Sequence, residues 1–486
     1  MDSLQPVLAV LARVLVGFSA AFLVPLAWAL GAGEYADAPV WAWGFGLTLF
    51  VGWFMGRVLR GHARELQPRD GFLLVTLTWV VLPACAAVPL LWTIPEFDWA
   101  DAYFEAMSGL TATGATALTG IDALPVSVNV WRCFLQFIGG LGIILLVVAV
   151  LPMLGLSSMQ LYRAETPGPM KDDKLTPRIA ETARGLWTVY FALSAACFIA
   201  YRVAGMNWAD AFMHMCTTMG LGGFSSHDAS FAYWNSPAIE AVAIVFMLLS
   251  GISFLRYFAV WRNGSLGVLA RDVEVRSYLL VMLGATVVLS LVLTADAVYD
   301  KHLSAVRAAA FQVVSMATTT GYVSTDYALW PAFGPVLLIF LGCFVSCAGS
   351  TGGGIKMVRM VLLLKQARRE LVRIIHPRVV NPVTLGGGTV PPTVLAAVLA
   401  FMLIYGATIV GLTLVMLLSG LDMVTAFSAV IVCVNNIGPG LGQVGPANHF
   451  GVLDDFQLWT LSFAMLLGRL ELLSVLVLFT PQFWRK

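Results

Sequence analysis

Four short loops rich in threonine, asparagine and glycine recur roughly every hundred residues along the chain. They are Leu-Thr-Ala-Thr-Gly-Ala around Gly114, Met-Gly-Leu-Gly-Gly-Phe around Gly223, Thr-Thr-Thr-Gly-Tyr around Gly321 and Asn-Asn-Ile-Gly-Pro around Gly438. An alanine stands twelve residues before each glycine (Ala102, Ala211, Ala309, Ala426), and an aromatic residue follows three of these alanines (Tyr103, Phe212, Phe427). Asp122, Asp228 and Asp326 follow the first three glycines. A dehydrated monovalent cation needs several oxygen ligands, and unwound backbone offers them as carbonyls without formal charge. Glycine at the narrowest point permits positive φ and removes the Cβ that would crowd an axis. A single such glycine reads as a tight turn; four at equivalent positions point to one shared site.

The elements that must carry these loops follow from composition. The chain has 486 residues, 59% of them hydrophobic and 11% charged, with a mean hydropathy of +0.85. A soluble domain carries about 25% charged residues, so this is a membrane protein. Apolar runs long enough to cross a bilayer core of about 30 Å fall at 6–30, 38–59, 72–93, 131–155, 185–204, 237–261, 277–297, 333–364, 391–419 and 456–480. Semi-apolar segments at 100–113, 208–222, 304–320 and 422–437 are too short to cross and read as re-entrant helices. The expected fold is all-α and integral to the membrane, with four helix, pore loop, helix repeats around a pseudo-fourfold central pore. Residues 1–69 form an added hairpin, and the repeats occupy 70–156, 180–262, 275–378 and 388–486. Two spans per repeat give every copy the same orientation, unlike the odd-numbered inverted repeats of many carriers. The first run has no basic segment before it and is expected to be a retained helix. The seven cysteines show no metal-ligand spacing and read as packing residues.

Net charge is +1, which gives no reason to expect nucleic acid. Sorting by face divides that total. Of the 28 Lys and Arg, 23 fall on the side of both termini, among them Arg57, Arg60, Arg163, Lys171, Lys174 and Lys356 to Arg378. By the positive-inside rule that side is cytoplasmic. The formal charge is then +13 inside and −12 outside, and an acidic outer mouth concentrates cations.

A second glycine cluster, Gly349, Ser350, Thr351, Gly352, Gly353 and Gly354 before Lys356, interrupts the eighth run. Consecutive glycines unwind a helix, and the freed carbonyls need a water-filled path or close helix packing. A phosphate-binding loop is excluded, because Ile355-Lys356 follows where Lys-Ser or Lys-Thr is required and no strand precedes it. Arg469 is expected in the middle of the last run, where a charge is costly. It faces either the pore or an acid on a neighbouring helix; Glu471, two residues on, points elsewhere. His214 and His227 flank the second loop without a metal or nucleophile partner, and no protease-like constellation lies in the spans. No enzyme activity is expected.

Taken together, SGLTATGAT (108–116), LGGFSSHD (221–228), TTTGYVSTD (318–326), NNIGPGLG (435–442), CAGSTGGGIK (347–356) and LGRLELLSVLVLFTP (467–481) resemble the Trk/Ktr/HKT superfamily of potassium transporters, over essentially the whole chain. The resemblance implies a potassium filter built from Thr111, Ala112, Thr113, Gly114, Leu221, Gly222, Gly223, Thr319, Thr320, Gly321, Asn436, Ile437 and Gly438. It implies a gate made of the Gly349 to Lys356 loop and Arg469. It further implies a homodimer in the inner membrane, and a cytoplasmic ring of the TrkA type that binds NAD and ATP, with no cofactor on this chain. Lys356 to Arg378 is the candidate docking surface for that ring. None of the loops is a full Thr-Val-Gly-Tyr-Gly filter, so potassium is expected to be preferred and rubidium to pass, with sodium entry left open. A carrier coupling potassium to protons or sodium is the alternative; it calls for a titratable group at the membrane midplane.

Overall fold

The computed structural model describes residues 4–61, 67–149 and 175–485. Arg64, Arg163, Lys171, Lys174, Lys486 and the end of the fourth expected span lie outside them. The described chain is helical apart from a two-residue-per-strand hairpin, Thr384–Leu385 paired antiparallel with Gly388–Thr389. That hairpin packs with Val358, Leu362 and Val394 in a small apolar cluster of its own.

Six described helices are long and apolar enough to cross a membrane unaided: Gln5–Ala32, Ala38–Val58, Arg69–Thr93, Thr182–Ala204, Val273–Ala295 and Pro392–Leu418. Val126–Ala149 stands at the position of the fourth span. The other three expected spans are not straight. Pro237–Ser250 meets Phe254–Asn263 at 83°, and Asp455–Arg469 meets Leu473–Phe479 at 108°. Phe333–Phe344 ends before the glycine cluster, and Met357–Ile375 resumes after it. Each break coincides with backbone that leaves the helical conformation: Ser253 has ψ of 122°, Glu471 and Leu472 have φ of 56° and 50°, and Gly349, Gly354 and Lys356 have φ of 77°, 78° and 78°.

The re-entrant segments are helices Trp99–Leu110, Trp208–Gly220, His302–Ala317 and Met423–Val434. At 1.5 Å per residue they reach only about 18–24 Å. Three start on a side-chain cap that satisfies otherwise orphaned N–H groups. Asp98 accepts from Ala100 N at 2.8 Å, Asn207 from Asp210 N at 2.7 Å, and Asp422 from Thr425 N at 3.0 Å. Ala102, Ala211, Ala309 and Ala426 are fully buried, one per repeat.

The N-terminal hairpin docks on the first repeat through aromatics. Phe22 stacks on the buried Trp131 at 4.5 Å, Trp41 lies 5.7 Å from the same indole, and Trp131 Nε1 donates to Ala86 O at 3.1 Å. At the hairpin turn, the Glu34 carboxylate accepts from Val126 N and Ser127 N at 2.6 and 3.0 Å. It thereby caps the helix that follows the first loop.

Candidate functional site

Each short helix ends in the same way. The residue two before the glycine is left-handed although it is not glycine: Ala112, Leu221, Thr319 and Asn436 have φ of 51°, 52°, 62° and 54°. The next N–H reaches five residues back, from Thr113 to Ser108 O, Gly222 to Thr217 O, Thr320 to Ser315 O and Ile437 to Val432 O, at 2.8–2.9 Å. This is a Schellman ending. It ties the N–H groups back into the helix and leaves the carbonyls of the turn pointing onward. The helix C-terminus adds its negative dipole end at the same place.

The four turns interlock in a ring. A Cβ on Gly114 would fall on the carbonyl of Gly222, on Gly223 on that of Thr320, on Gly321 on that of Ile437, and on Gly438 it would press on that of Thr113. Each of these four glycines thus faces the carbonyl just before the next one, closing a cycle through loops one, two, three and four. The glycines have φ of 83°, 78°, 80° and 101°, which an L side chain rarely adopts. Thr111, Ala112, Thr113, Leu221, Thr319, Thr320, Asn436 and Ile437 are all buried. Of the eight carbonyls at Ala112, Thr113, Leu221, Gly222, Thr319, Thr320, Asn436 and Ile437, only that of Gly222 accepts a hydrogen bond among the described residues. Buried carbonyls without partners are costly, and a ring of them presents concentrated negative potential to a cation.

Neutral side chains brace the ring. Thr111 and Thr113 share a hydroxyl bond of 2.7 Å, as do Thr318 and Thr320 in the diagonal loop. Asn436 Nδ2 donates to Thr113 Oγ1 at 2.9 Å, and the Tyr322 hydroxyl contacts those of Thr217 and Thr218. Behind loops one and two lies a buried ion pair, Arg132 Nε to Glu105 Oε1 at 2.7 Å. The same guanidinium bonds Asn129 and Thr116 and lies 4.5 Å over the Phe224 ring. At one mouth of the ring His227 bridges Asp122 of loop one and Asp210 of the second short helix. Its imidazole stacks 3.6 Å from Tyr233. Burial opposes the charged imidazolium, but the two carboxylates outweigh it and hold the His227 pKa above its ordinary value.

The carboxylates expected to form an acidic outer field are therefore less free than formal charge suggests. Asp98, Asp422 and Asp454 cap helices, and Glu105 and Glu240 pair with Arg132 and Arg307.

Beneath the ring lies the loop Val345 to Lys356. Thr351 Oγ1 donates to Met219 O at 3.0 Å, and Gly353 N donates to Thr319 Oγ1 at 2.8 Å. Cβ atoms on Gly352 and Gly353 would strike the carbonyls of Thr318 and Asn435. The glycine cluster thus lies directly against the ends of the second, third and fourth short helices. Arg469 completes the circuit: Nη1 donates to Thr351 O and Nη2 to Gly139 O of the first repeat, both at 2.9 Å. The sequence placed Arg469 mid-span and facing either water or an acid. It is the last residue of its helix, 3% exposed, and bonded to carbonyls. Glu471 pairs with Arg359 at 2.5 Å, Lys356 Nζ donates to Gly352 O, and the Glu274 carboxylate accepts from Ala348 N and Val358 N on either side of the loop.

Sequence reasoning missed Glu105, Arg132 and Gln136. Asn129, Arg132 and Gln136 do stand three and four residues apart on an apolar helix, a polar stripe on one face that could have announced a buried network.

The TrkH family of cation transport proteins matches residues 48–486. The Trk system potassium uptake protein TrkH of Vibrio parahaemolyticus serotype O3:K6 is 44% identical over 475 residues, covering 96% of each chain. Its namesake in Escherichia coli strain K12 is 45% identical over 447 residues, covering 91% of this chain and 92% of that one. The crystal structure of the potassium transporter TrkH from Vibrio parahaemolyticus superposes with a TM-score of 0.91 at 40% identity, covering 99% of both chains. Sequence along nearly its whole length and fold agree that the chain belongs to the TrkH family of cation transport proteins.

Proposed function

We propose that this chain is the membrane subunit of a Trk-type potassium uptake system, working in the inner membrane with both termini in the cytoplasm. Potassium enters from the outer mouth and sheds water against the carbonyls of loops one to four. The side chains of Thr111, Thr113, Thr319 and Thr320 frame that ring, and Gly114, Gly223, Gly321 and Gly438 make room for it. The observation that carries this reading is the ring of buried carbonyls at the C-terminal ends of four short helices, seven of the eight without a hydrogen-bond partner among the described residues. Gly349 to Gly354 plugs the path below the ring, and Arg469 and Lys356 hold the plug while adding positive charge that repels the ion; the packing of Gly352 and Gly353 against the carbonyls of Thr318 and Asn435 supports this part of the reading. Opening requires the plug to leave. The energy for that is assigned to a cytoplasmic NAD- and ATP-binding ring of the TrkA type, docking on Lys356 to Arg378 of a homodimer. The repeat boundaries drawn from the sequence serve as the units of this pathway.

Rubidium uptake into proteoliposomes of the purified chain, competed with potassium, sodium and lithium, tests the reading. Potassium should compete most strongly; equal competition by all three contradicts a carbonyl filter.

A further inference from the structure

The N-terminal hairpin lies outside the four repeats and holds a charged cavity of about 460 Å³. Gly52 and Gly56 let the two helices approach closely: a Cβ on Gly52 would press on Ala12 O, and one on Gly56 would touch the Ala12 side chain. Arg13, Arg57 and Arg60 rim the space; among the described residues no acidic residue lines it and none of the three has an ion-pair partner. Trp53 lines the same wall, 53% exposed, with the Arg57 guanidinium 5.6 Å from its ring. All of this sits at the membrane end that carries the termini, the basic face of the chain. Three guanidiniums around one cavity repel one another unless an anion joins them, and guanidinium pairs with phosphate oxygens in bidentate fashion. An exposed indole one turn toward the membrane suits the headgroup level of a bilayer.

We infer that this cavity binds the phosphate of an anionic phospholipid, with its acyl chains running along Trp53 and Val16. The test is thermal stabilisation of the detergent-purified chain by dioleoylphosphatidylglycerol, with dioleoylphosphatidylcholine and inorganic phosphate as parallel arms. The anionic lipid should stabilise at concentrations where the other two do not. Each of Arg13→Gln, Arg57→Gln and Arg60→Gln should weaken the lipid midpoint about fivefold, whereas Arg369→Gln on the other basic helix should not. Equal stabilisation by phosphatidylcholine, full effect from phosphate alone, or unaltered midpoints in all three variants would overturn the assignment.

A different observation carries a second proposal, which rests on the filter reading. Gln136 is fully buried. Its Nε2 donates to Gly222 O at 2.8 Å and its Oε1 accepts from Phe224 N at 3.1 Å, so one side-chain amide brackets Gly223. The equivalent carbonyls of Thr113, Thr320 and Ile437 accept no such bond among the described residues. A carbonyl already tied to the scaffold cannot move inward to meet a smaller ion. We infer that Gln136 is a positioning residue that makes loop two the rigid quarter of the ring and so sets discrimination against sodium.

Gln136→Met keeps the volume and removes both bonds; Gln136→Glu keeps the acceptor and removes the donor to Gly222. Both should let sodium compete several-fold better against rubidium uptake, and both should narrow the gap between the potassium and sodium concentrations that stabilise the protein thermally. The second readout serves even if a variant does not transport. Unchanged sodium competition or an unchanged stabilisation gap would refute the role. A wild-type chain that fails to prefer potassium would instead refute the filter reading beneath it.

Discussion

The ring and the Gly349 to Gly354 loop beneath it, read here as a plug, are neighbours held together in different ways. The ring is locked by backbone against backbone, each glycine filled by the next loop's carbonyl, and braced by neutral hydroxyls and amides. Its ion pair, Glu105 with Arg132, stands behind it. The loop beneath the ring shares that glycine-to-carbonyl packing, but it also carries cations and carboxylates at its edges: Arg469, Lys356, Arg359 with Glu471, and Glu274. A cyclic interlock cannot yield at one point without disturbing all four loops. A loop held by a few side chains can be released by neutralising or moving one of them. On the proposed reading the same chain builds a permanent feature and, packed against it, a displaceable one.

The sharpest way to break the contrast is in the ring. Gly223→Ala forces a Cβ onto the Thr320 carbonyl at a φ of 78°. Overpacking of about 1–3 kcal/mol translates to as much as a hundredfold in ion occupancy, so rubidium uptake should fall close to background in a protein that still elutes as a single species. In the plug the sign reverses. Arg469→Ala removes two bonds and a buried charge, and resting flux should rise roughly tenfold; unchanged or lower flux at normal protein levels excludes a gating role. Glu471→Gln weakens only the Arg359 pair at the plug's edge and should raise resting flux about twofold to threefold.

The smallest expected effect is at the mouth of the ring. His227 gains its partners on folding and has a raised pKa. Its stabilising contribution is therefore complete below the ordinary histidine value of about 6.5 and disappears as pH rises through the higher folded value. Comparing thermal stability of wild type and His227→Gln from pH 6 to pH 9 should show an advantage below about 1 kcal/mol that vanishes at the alkaline end. A difference constant with pH would remove the ion-pair explanation.

Much of this contrast was legible in the sequence, for identifiable reasons. The four re-entrant helices follow from apolar runs too short to cross, and the ring glycines from repetition. The break that makes the loop beneath the ring follows from three consecutive glycines, each costing a helix about 1 kcal/mol relative to alanine. What could not be read was conformation imposed by neighbours. Leu221 and Thr319 are poor residues for left-handed backbone, and only the Schellman endings make them adopt it. The 108° bend after Arg469 turns on Glu471 and Leu472, whose types give no warning, so a helix-terminal arginine was placed mid-span. Glu105 and Arg132 are not announced as partners because twenty-seven residues separate them in sequence. Their burial is a product of packing between a short helix and its successor.

The central claim is that the interlocked carbonyls hold a dehydrated cation. Anomalous diffraction from crystals grown in rubidium locates that ion directly. The account predicts density on the axis bounded by the carbonyls of Thr113, Gly222, Thr320 and Ile437, lost in Gly223→Ala. Rubidium density confined to the acidic outer surface, with none inside the ring, would contradict it.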